Sequence, residues 1–159
     1  MPSADDAAPA AGTLTGVRVL EFTALIAGPS AARYLSDHGA EVIKIERFPN
    51  GDVGRVTNRL TEGRSAMFVQ HNAGKLGLCV DLSRPEGLAI ARDLVRKSDV
   101  VIEAFTPGVM DKLGLGYEQL RQLNPKIILC SISGFGQNGP NAQRPGLSLI
   151  HISEPTRPY

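Results

Sequence analysis

Short runs of branched apolar residues recur along the chain, separated by segments that mix apolar and polar positions. Five of these runs are rich in Val, Ile and Leu and predict β-strands. They cover 17–22, 41–46, 77–82, 99–103 and 126–132. The fourth run, DVVIE, has a continuous apolar centre, which predicts a strand that is buried on both faces of its sheet.

Helical spacing fills several of the intervals between these strands. After the Gly28-Pro29 pair, apolar residues in 30–38 recur three to four positions apart, and Gly39 supplies a helix stop signal. Two shorter segments, 108–114 and 116–125, also have helical spacing. Segments 48–64 and 134–146 are rich in Gly, Asn, Pro and Arg and are predicted to be loops.

The clearest helix covers 85–97, where Ser83 and Glu86 have the spacing of a capping box and an apolar stripe follows. Strands that alternate with helices predict βαβ units and an α/β fold, built on a mainly parallel sheet with flanking helices. The carboxyl ends of parallel strands share one edge, where ligands usually bind. The segments at that edge would be 23–29, 46–51, 82–84, 104–112 and 133–140.

Composition narrows the class of protein. The chain has 159 residues and 42% apolar content, enough for a core, and a net charge of +1 argues against a nucleic-acid partner. No apolar stretch approaches the roughly 18–20 residues of a membrane span, and the first residues do not resemble a signal peptide. Cys79 and Cys130 lie in apolar runs without disulfide or metal spacing, which favours a reducing cytoplasm.

The sequence lacks the common motifs for dinucleotide, phosphate and metal binding. The turn after the first strand holds one glycine rather than G-x-G-x-x-G, which argues against a dinucleotide, and no phosphate-binding P-loop is present. His38, His71 and His151 lack metal-ligand spacing. Glu46 and Glu103 stand at strand ends, where capping or ion pairing is a commoner role than catalysis.

Several cations follow the predicted strands and could bind a phosphorylated nucleotide at the sheet edge. They are Arg47, Arg84 beside Ser83, Lys112 and Lys75. Solvated surface residues explain the same pattern, and the pattern alone favours that explanation.

Four motifs nevertheless resemble a known family. They are GVRVLEFT with AGP, then LSDHGAEVIKIER, then HNAGKLGLCVDLSRPEG, and finally the run from SDVVIEAFTPGVMDKLGLGYE to GFGQNGP. In this order they are similar to the N-terminal part of class III CoA-transferases, of the CaiB/BaiF type, over residues 14–146. The resemblance implies a Rossmann-like CoA-binding domain within an interlocked homodimer, with acyl-CoA and a carboxylic acid as substrates and no permanently bound cofactor.

The resemblance also implies which residues contact CoA. These are Leu25, Ile26, Ala27, Arg47, Val80, Ser83, Arg84, Ala104, Phe105, Lys112 and Leu113. Three of the family's motifs are altered here. Ala104 stands for the usual Asn of E-N-F-x-P-G, Ser83 for the Lys of L-D-L-K, and GKLG for N-K-R-S. Arg84 is expected to compensate for the missing lysine.

The last residues, LSLIHISEPTRPY, depart from the family and resemble the translated read-through of a sequencing adapter. The sequence therefore predicts a disordered tail at 1–13, a partial CoA-binding domain at 14–146, and a non-native tail at 147–159. In the family, an aspartate forms an acyl anhydride and then an aspartyl-CoA thioester, and it lies beyond Gly146. No catalytic residue is expected within this chain, and the chain alone is expected to be inactive. Two alternatives stay open: a fragment of an α-methylacyl-CoA racemase, and a non-catalytic CoA- or nucleotide-binding half-domain.

Overall fold

A computed structural model describes residues 12–57, 63–144 and 146 of the protein. Its strands are β1 (Arg18–Phe22), β2 (Glu41–Arg47), β3 (Leu76–Val80), β4 (Val100–Glu103) and β5 (Ile128–Ser131). Its helices are α1 (Ala27–Asp37), α2 (Ala66–Asn72), α3 (Pro85–Val95), α4 (Val109–Lys112) and α5 (Tyr117–Leu123). A 3-10 turn, Val53–Val56, lies between β2 and α2.

The five strands form one parallel sheet in the order β3-β2-β1-β4-β5. This order confirms the predicted α/β fold, and all five predicted strands are present with shifts of a few residues at their ends. The order reverses at β1, because β2 pairs on one side of it and β4 on the other. A crevice forms at such a reversal, outside the carboxyl ends of β1 and β4.

Helices cover both faces of the sheet. On the first, which we call the α1 face, Val19, Val42 and Ile102 pack with Ala32 of α1. On the second, the α3 face, apolar residues of the strands pack against α3, α4 and α5. The buried members of that larger cluster are Leu20, Phe22, Ile45, Val80, Ala91, Val95, Val101, Met110, Leu115, Leu120 and Ile127. Neighbouring residues of β4 therefore belong to opposite faces, which confirms that this strand is buried on both sides.

Helix α3 begins at Pro85 as predicted, whereas α1 begins earlier than predicted. Helix α1 begins at Ala27 and includes Gly28 and Pro29, since proline is tolerated in a first helical turn. Gly28 is needed there because a Cβ on it would lie 2.4 Å from the Thr23 side chain. Gly39, with φ of +98°, follows the end of α1 as predicted.

The predicted capping box of α3 is wrong. Arg84 occupies the N-cap position without a side-chain cap, and the Ser83 hydroxyl instead donates to Asp81 Oδ1 at 2.6 Å. The partner of the Ser83 hydroxyl is therefore the Asp81 carboxylate and not the N-terminus of the helix. The helix also ends at Val95, two residues before its predicted end.

Helix α2 is not among the elements that the sequence predicts. Within the predicted loop 48–64 the chain forms the 3-10 turn, and α2 begins at Ala66, just after the predicted loop. The Ser65 hydroxyl caps α2 by accepting the Phe68 N–H at 3.1 Å. Helix α2 has seven residues, AMFVQHN, and none of them is buried, so it is too short for an apolar position to recur at helical spacing over several turns.

Among the described residues, no helix has the length and apolar character needed to cross a membrane. Residues 1–11 and 147–159 lie outside the described part, so the boundaries of the two predicted tails stay predictions.

Candidate functional site

The turns that follow the strands at the carboxyl edge hold the residues expected to contact CoA. Two of these turns flank the crevice between β1 and β4, because Phe22, the last residue of β1, is in register with Glu103, the last residue of β4. Leu25 follows the first of these and Ala104 the second. The parallel sheet therefore brings two segments that are about 80 residues apart in sequence to one place.

The turn after β1 has an unusual backbone. Leu25 has φ of +66° and is the one described residue other than glycine with a positive φ. Left-handed backbone is unfavourable for a leucine and tends to occur at functional sites. Ile26 follows with 52% of its surface exposed, and the exposed Ala27 opens α1. The segment thus presents apolar groups to solvent at the mouth of the crevice.

The ends of β2 and β3 bring cations together. Arg47 is in register with Val80, and the Phe48 N–H donates to the Val80 carbonyl at 3.3 Å. Arg47 is exposed, whereas the Val80 side chain lies in the core, so a ligand at this point would meet only the main chain of Val80.

Asp81 stands beside these cations. Hydrogen bonds from Ser83 lower the pKa of the Asp81 carboxyl, with smaller contributions from the positive charges of Arg84 and Arg47. The two arginines therefore lie within electrostatic reach of one carboxylate. An anion that binds here must compete with Asp81 for them.

The turn after β4 is held by packing. The Phe105 N–H donates to Glu103 Oε2 at 2.8 Å, so Glu103 serves as a local cap, as the sequence favoured. Phe105 and Leu113 are half-buried against the same cluster that holds Val80. Lys112 is exposed at the end of α4, and Ala104 is half-buried. Three of the expected apolar contacts, Val80, Phe105 and Leu113, thus share one hydrophobic cluster.

Two concave spaces adjoin this edge. A cavity of about 200 Å³ lies beyond β4 and β5 and is lined in part by Glu103, Asp111 and Tyr117. An open groove of about 320 Å³ runs beside the edge strand β3, between Arg55 and Cys79. The acidic lining of the first space does not suit phosphates, which leaves the cations of the β2 and β3 ends as the better phosphate site.

The α1 face contains a buried ionic network that the sequence does not predict. Glu21 of β1 and Lys44 of β2 are in register, and Lys44 Nζ lies 2.9 Å from both Glu21 Oε1 and Asp52 Oδ2. Lys75 Nζ lies 2.8 Å from Glu21 Oε2. All four side chains are almost completely buried. A charged residue in the middle of an apolar strand, such as the lysine of EVIKIE, is the sequence feature that could have indicated this network, because charged side chains are rarely buried unless they are paired.

Lys75, one of the cations that the sequence offers for a phosphorylated nucleotide, is neither at a phosphate site nor solvated. Its ammonium donates to Glu21 and, at 2.8 Å, to the Pro29 carbonyl. Burial lowers the pKa of Lys75, and the hydrogen bond that Lys75 donates to Glu21 opposes this only in part. The side chain is committed to the inside of the sheet and is not offered to a ligand.

Glu46 forms an ion pair, the role that the sequence favoured. Arg55 donates to its two oxygens at 2.7 and 2.6 Å, and the Arg55 guanidinium stacks over the Phe68 ring. Burial raises the pKa of Glu46, but hydrogen bonds from Arg55 and from the Asp52 amide, with the charges of Arg55 and Lys44, hold it below its ordinary value.

The two histidines in the described part of the chain, His38 and His71, belong to no metal site. In His38 and His71 the Nδ1 atom lies 2.7 Å from a carbonyl of the preceding helical turn. Within 12–57, 63–144 and 146, no three His, Cys, Asp or Glu side chains are grouped so as to hold a metal ion. His151 lies outside the described residues.

The model of CoA-transferase family III matches residues 14–155. The chain belongs to this family. A succinate–glutarate CoA-transferase from Agrobacterium fabrum is 46% identical over 144 residues, which make up 86% of this chain and 36% of the relative. The "Probable fatty acyl-CoA transferase Rv3272" of Mycobacterium tuberculosis is 41% identical over 157 residues, 97% of this chain and 39% of the relative.

Solved structures agree with this membership. A crystal structure of Rv3272 superposes with a TM-score of 0.84 at 42% identity and covers 92% of this chain and 41% of that one. A CaiB/BaiF family protein from Brucella suis gives a TM-score of 0.80 at 42% identity, over 86% of this chain and 37% of the other. The chain therefore spans about two fifths or less of the length of these relatives.

Proposed function

We propose that the protein to which this chain belongs transfers CoA between two carboxylic acids, and that this chain supplies the CoA-binding edge of its sheet. The observation that carries the proposal is the meeting of the Leu25 turn and the Ala104–Phe105 turn at the crevice between β1 and β4, in a member of CoA-transferase family III. Ligands of open α/β sheets bind at such a point.

The surrounding side chains suit a nucleotide thioester. Arg47 and Arg84, which are exposed near the ends of β2 and β3, would bind its phosphates together with Lys112, which is exposed at the end of α4. Ser83 would add a hydroxyl beside them. Ile26, Phe105 and Leu113 would contact the adenine or the pantetheine arm through apolar surface. CoA would enter as a substrate and leave as part of a product, with no cofactor held permanently.

The chemistry itself needs a carboxylate nucleophile. The proposal assigns that nucleophile to chain beyond Gly146, because the buried carboxylates of the described residues are occupied by lysines, arginines or main-chain N–H groups. We therefore expect the 159-residue chain alone not to exchange CoA between an acyl-CoA and a free acid. An interlocked homodimer in the cytoplasm is part of the same proposal. The two free thiols, Cys79 and Cys130, are compatible with a reducing compartment.

Transfer is preferred to racemisation, since the relatives described above are named as CoA-transferases. The family resemblance supplies the discriminating position. In the uninterrupted gene, a tyrosine after Gly146 would favour transfer, and a histidine would favour racemisation.

Calorimetric titration of the 159-residue chain with CoA tests the binding half of the proposal. We expect saturable heat that weakens about tenfold in Arg47→Gln, as a charge-assisted phosphate contact is lost. Arg18→Gln is the matched control, because Arg18 lies at the opposite end of the sheet and pairs with Glu41. A cooperative thermal transition without heat at millimolar CoA would refute CoA binding. Equal losses in the two variants would refute the assigned edge.

A further inference from the structure

The carboxylate of Asp52 links the ionic network to the Leu25 turn. Asp52 lies in the loop after β2, and its side chain is only 1% exposed. Its Oδ1 accepts two main-chain hydrogen bonds, from Gly54 at 2.7 Å and from Leu25 at 3.3 Å. Its Oδ2 lies 2.9 Å from Lys44 Nζ. One carboxylate therefore joins the charge inside the sheet to the turn at the crevice.

The Leu25 turn needs such a support. A φ of +66° places a branched side chain in left-handed backbone, which isolated leucine avoids. A hydrogen bond from the Leu25 N–H to a fixed acceptor favours this conformation over its alternatives. Asp52 is fixed, because its own N–H donates to Glu46 Oε2 at 2.9 Å and Lys44 holds its other oxygen.

We infer that Asp52, held by Lys44, is a positioning residue for CoA: it fixes the left-handed turn at Leu25 and so sets where residues 25–27 stand at the crevice. The inference rests on the proposed function, because it takes CoA as the ligand of that turn. Asp52 is not expected to touch CoA. It acts through the Leu25 backbone, and removing it would let the turn relax away from the geometry that binds.

Residue 25 itself offers the discriminating variants. Leu25→Ala and Leu25→Gly both remove the leucine side chain, yet only glycine adopts a positive φ without strain. If Asp52 acts by holding the turn, its loss should matter with alanine at position 25 and matter little with glycine there. A purely structural role elsewhere in the network would be indifferent to this choice.

The affinity for CoA is measured by calorimetry in a double-mutant cycle. We expect Asp52→Ala to weaken CoA binding about tenfold in the Leu25→Ala background and less than threefold in the Leu25→Gly background. Equal factors in the two backgrounds overturn the inference. If Asp52→Ala does not fold, Asp52→Asn replaces it, because the amide oxygen keeps an acceptor for Leu25. The expected factors are then about threefold and none.

Amide hydrogen exchange gives a readout that does not depend on CoA. In the wild-type chain we expect the Leu25 amide to be protected, and to exchange at least tenfold faster in Asp52→Ala. Asp37→Ala, at the far end of α1, is the control and should leave that amide unchanged. Unchanged exchange in Asp52→Ala overturns the inference alone. A protected Leu25 amide in a chain that binds no CoA would instead refute the proposed function.

Discussion

The two faces of the sheet are stabilised by different means. The α3 face is a continuous apolar cluster from β2 to α5. The α1 face begins with apolar residues and ends, toward the carboxyl edge, in the buried charges of Glu21, Lys44, Asp52 and Lys75. Apolar side chains can pack in several orientations, whereas a buried ion pair is favourable only when its nitrogen and oxygen atoms keep a close and defined geometry. The charged face is thus the one that can hold a strained turn at the crevice.

The largest effect is expected on the charged face. Lys44→Ala removes the ammonium that neutralises Asp52 and shares Glu21, and it leaves Asp52 buried without its counter-charge. Breaking a buried ion pair typically costs about 3–5 kcal/mol, a large part of the stability of a small domain. We expect urea denaturation to show a free energy of unfolding that is lower by that amount, or a transition that is no longer cooperative.

An exposed lysine provides the control for this experiment. Lys126→Ala should change the free energy of unfolding by no more than about 0.5 kcal/mol. A Lys44 variant as stable as the Lys126 variant would show that the network contributes nothing, and the contrast between the two faces would disappear.

A smaller effect is expected on the apolar face. Leu120 of α5 is fully buried in the cluster, and Leu120→Ala leaves a cavity that typically costs about 3 kcal/mol. The transition should stay cooperative, because no polar group loses a partner. Leu78→Ala on the edge strand β3, where the leucine is 37% exposed, should cost less than about 1.5 kcal/mol. The same denaturant series measures both, and a larger cost for Leu78 would contradict the assignment of this core.

The same contrast explains what the sequence could predict. Runs of branched apolar residues predicted all five strands of the described residues, because the residue types in a strand, such as Val101 and Ile102, depend mainly on burial. The resemblance named the turns at the crevice. The partners of Lys75, the capping of α3 and the Leu25 backbone depend on which side chains meet in space. Lys75 and Glu21 are 54 residues apart, and nothing in their local sequences pairs them.

The mildest test changes the pH and concerns Glu46 at the rim of the charged face. Its folded-state pKa lies below the ordinary value of about 4.5, so its contribution to stability is complete above that value and is lost as the pH falls through the folded-state pKa. Glu46→Gln removes the charge that Arg55 binds, which we expect to cost about 1.5 kcal/mol at pH 7 because Arg55 is half exposed. As the pH falls below 4.5 and through the folded-state pKa, the wild type and the variant should converge in thermal stability. Asp81→Asn is the matched control, since its carboxyl also has a lowered pKa but lies at the surface beside the exposed Arg84, and it should leave the acid transition nearly in place. A constant gap between wild type and Glu46→Gln at every pH would show that the glutamate acts through its shape rather than its charge.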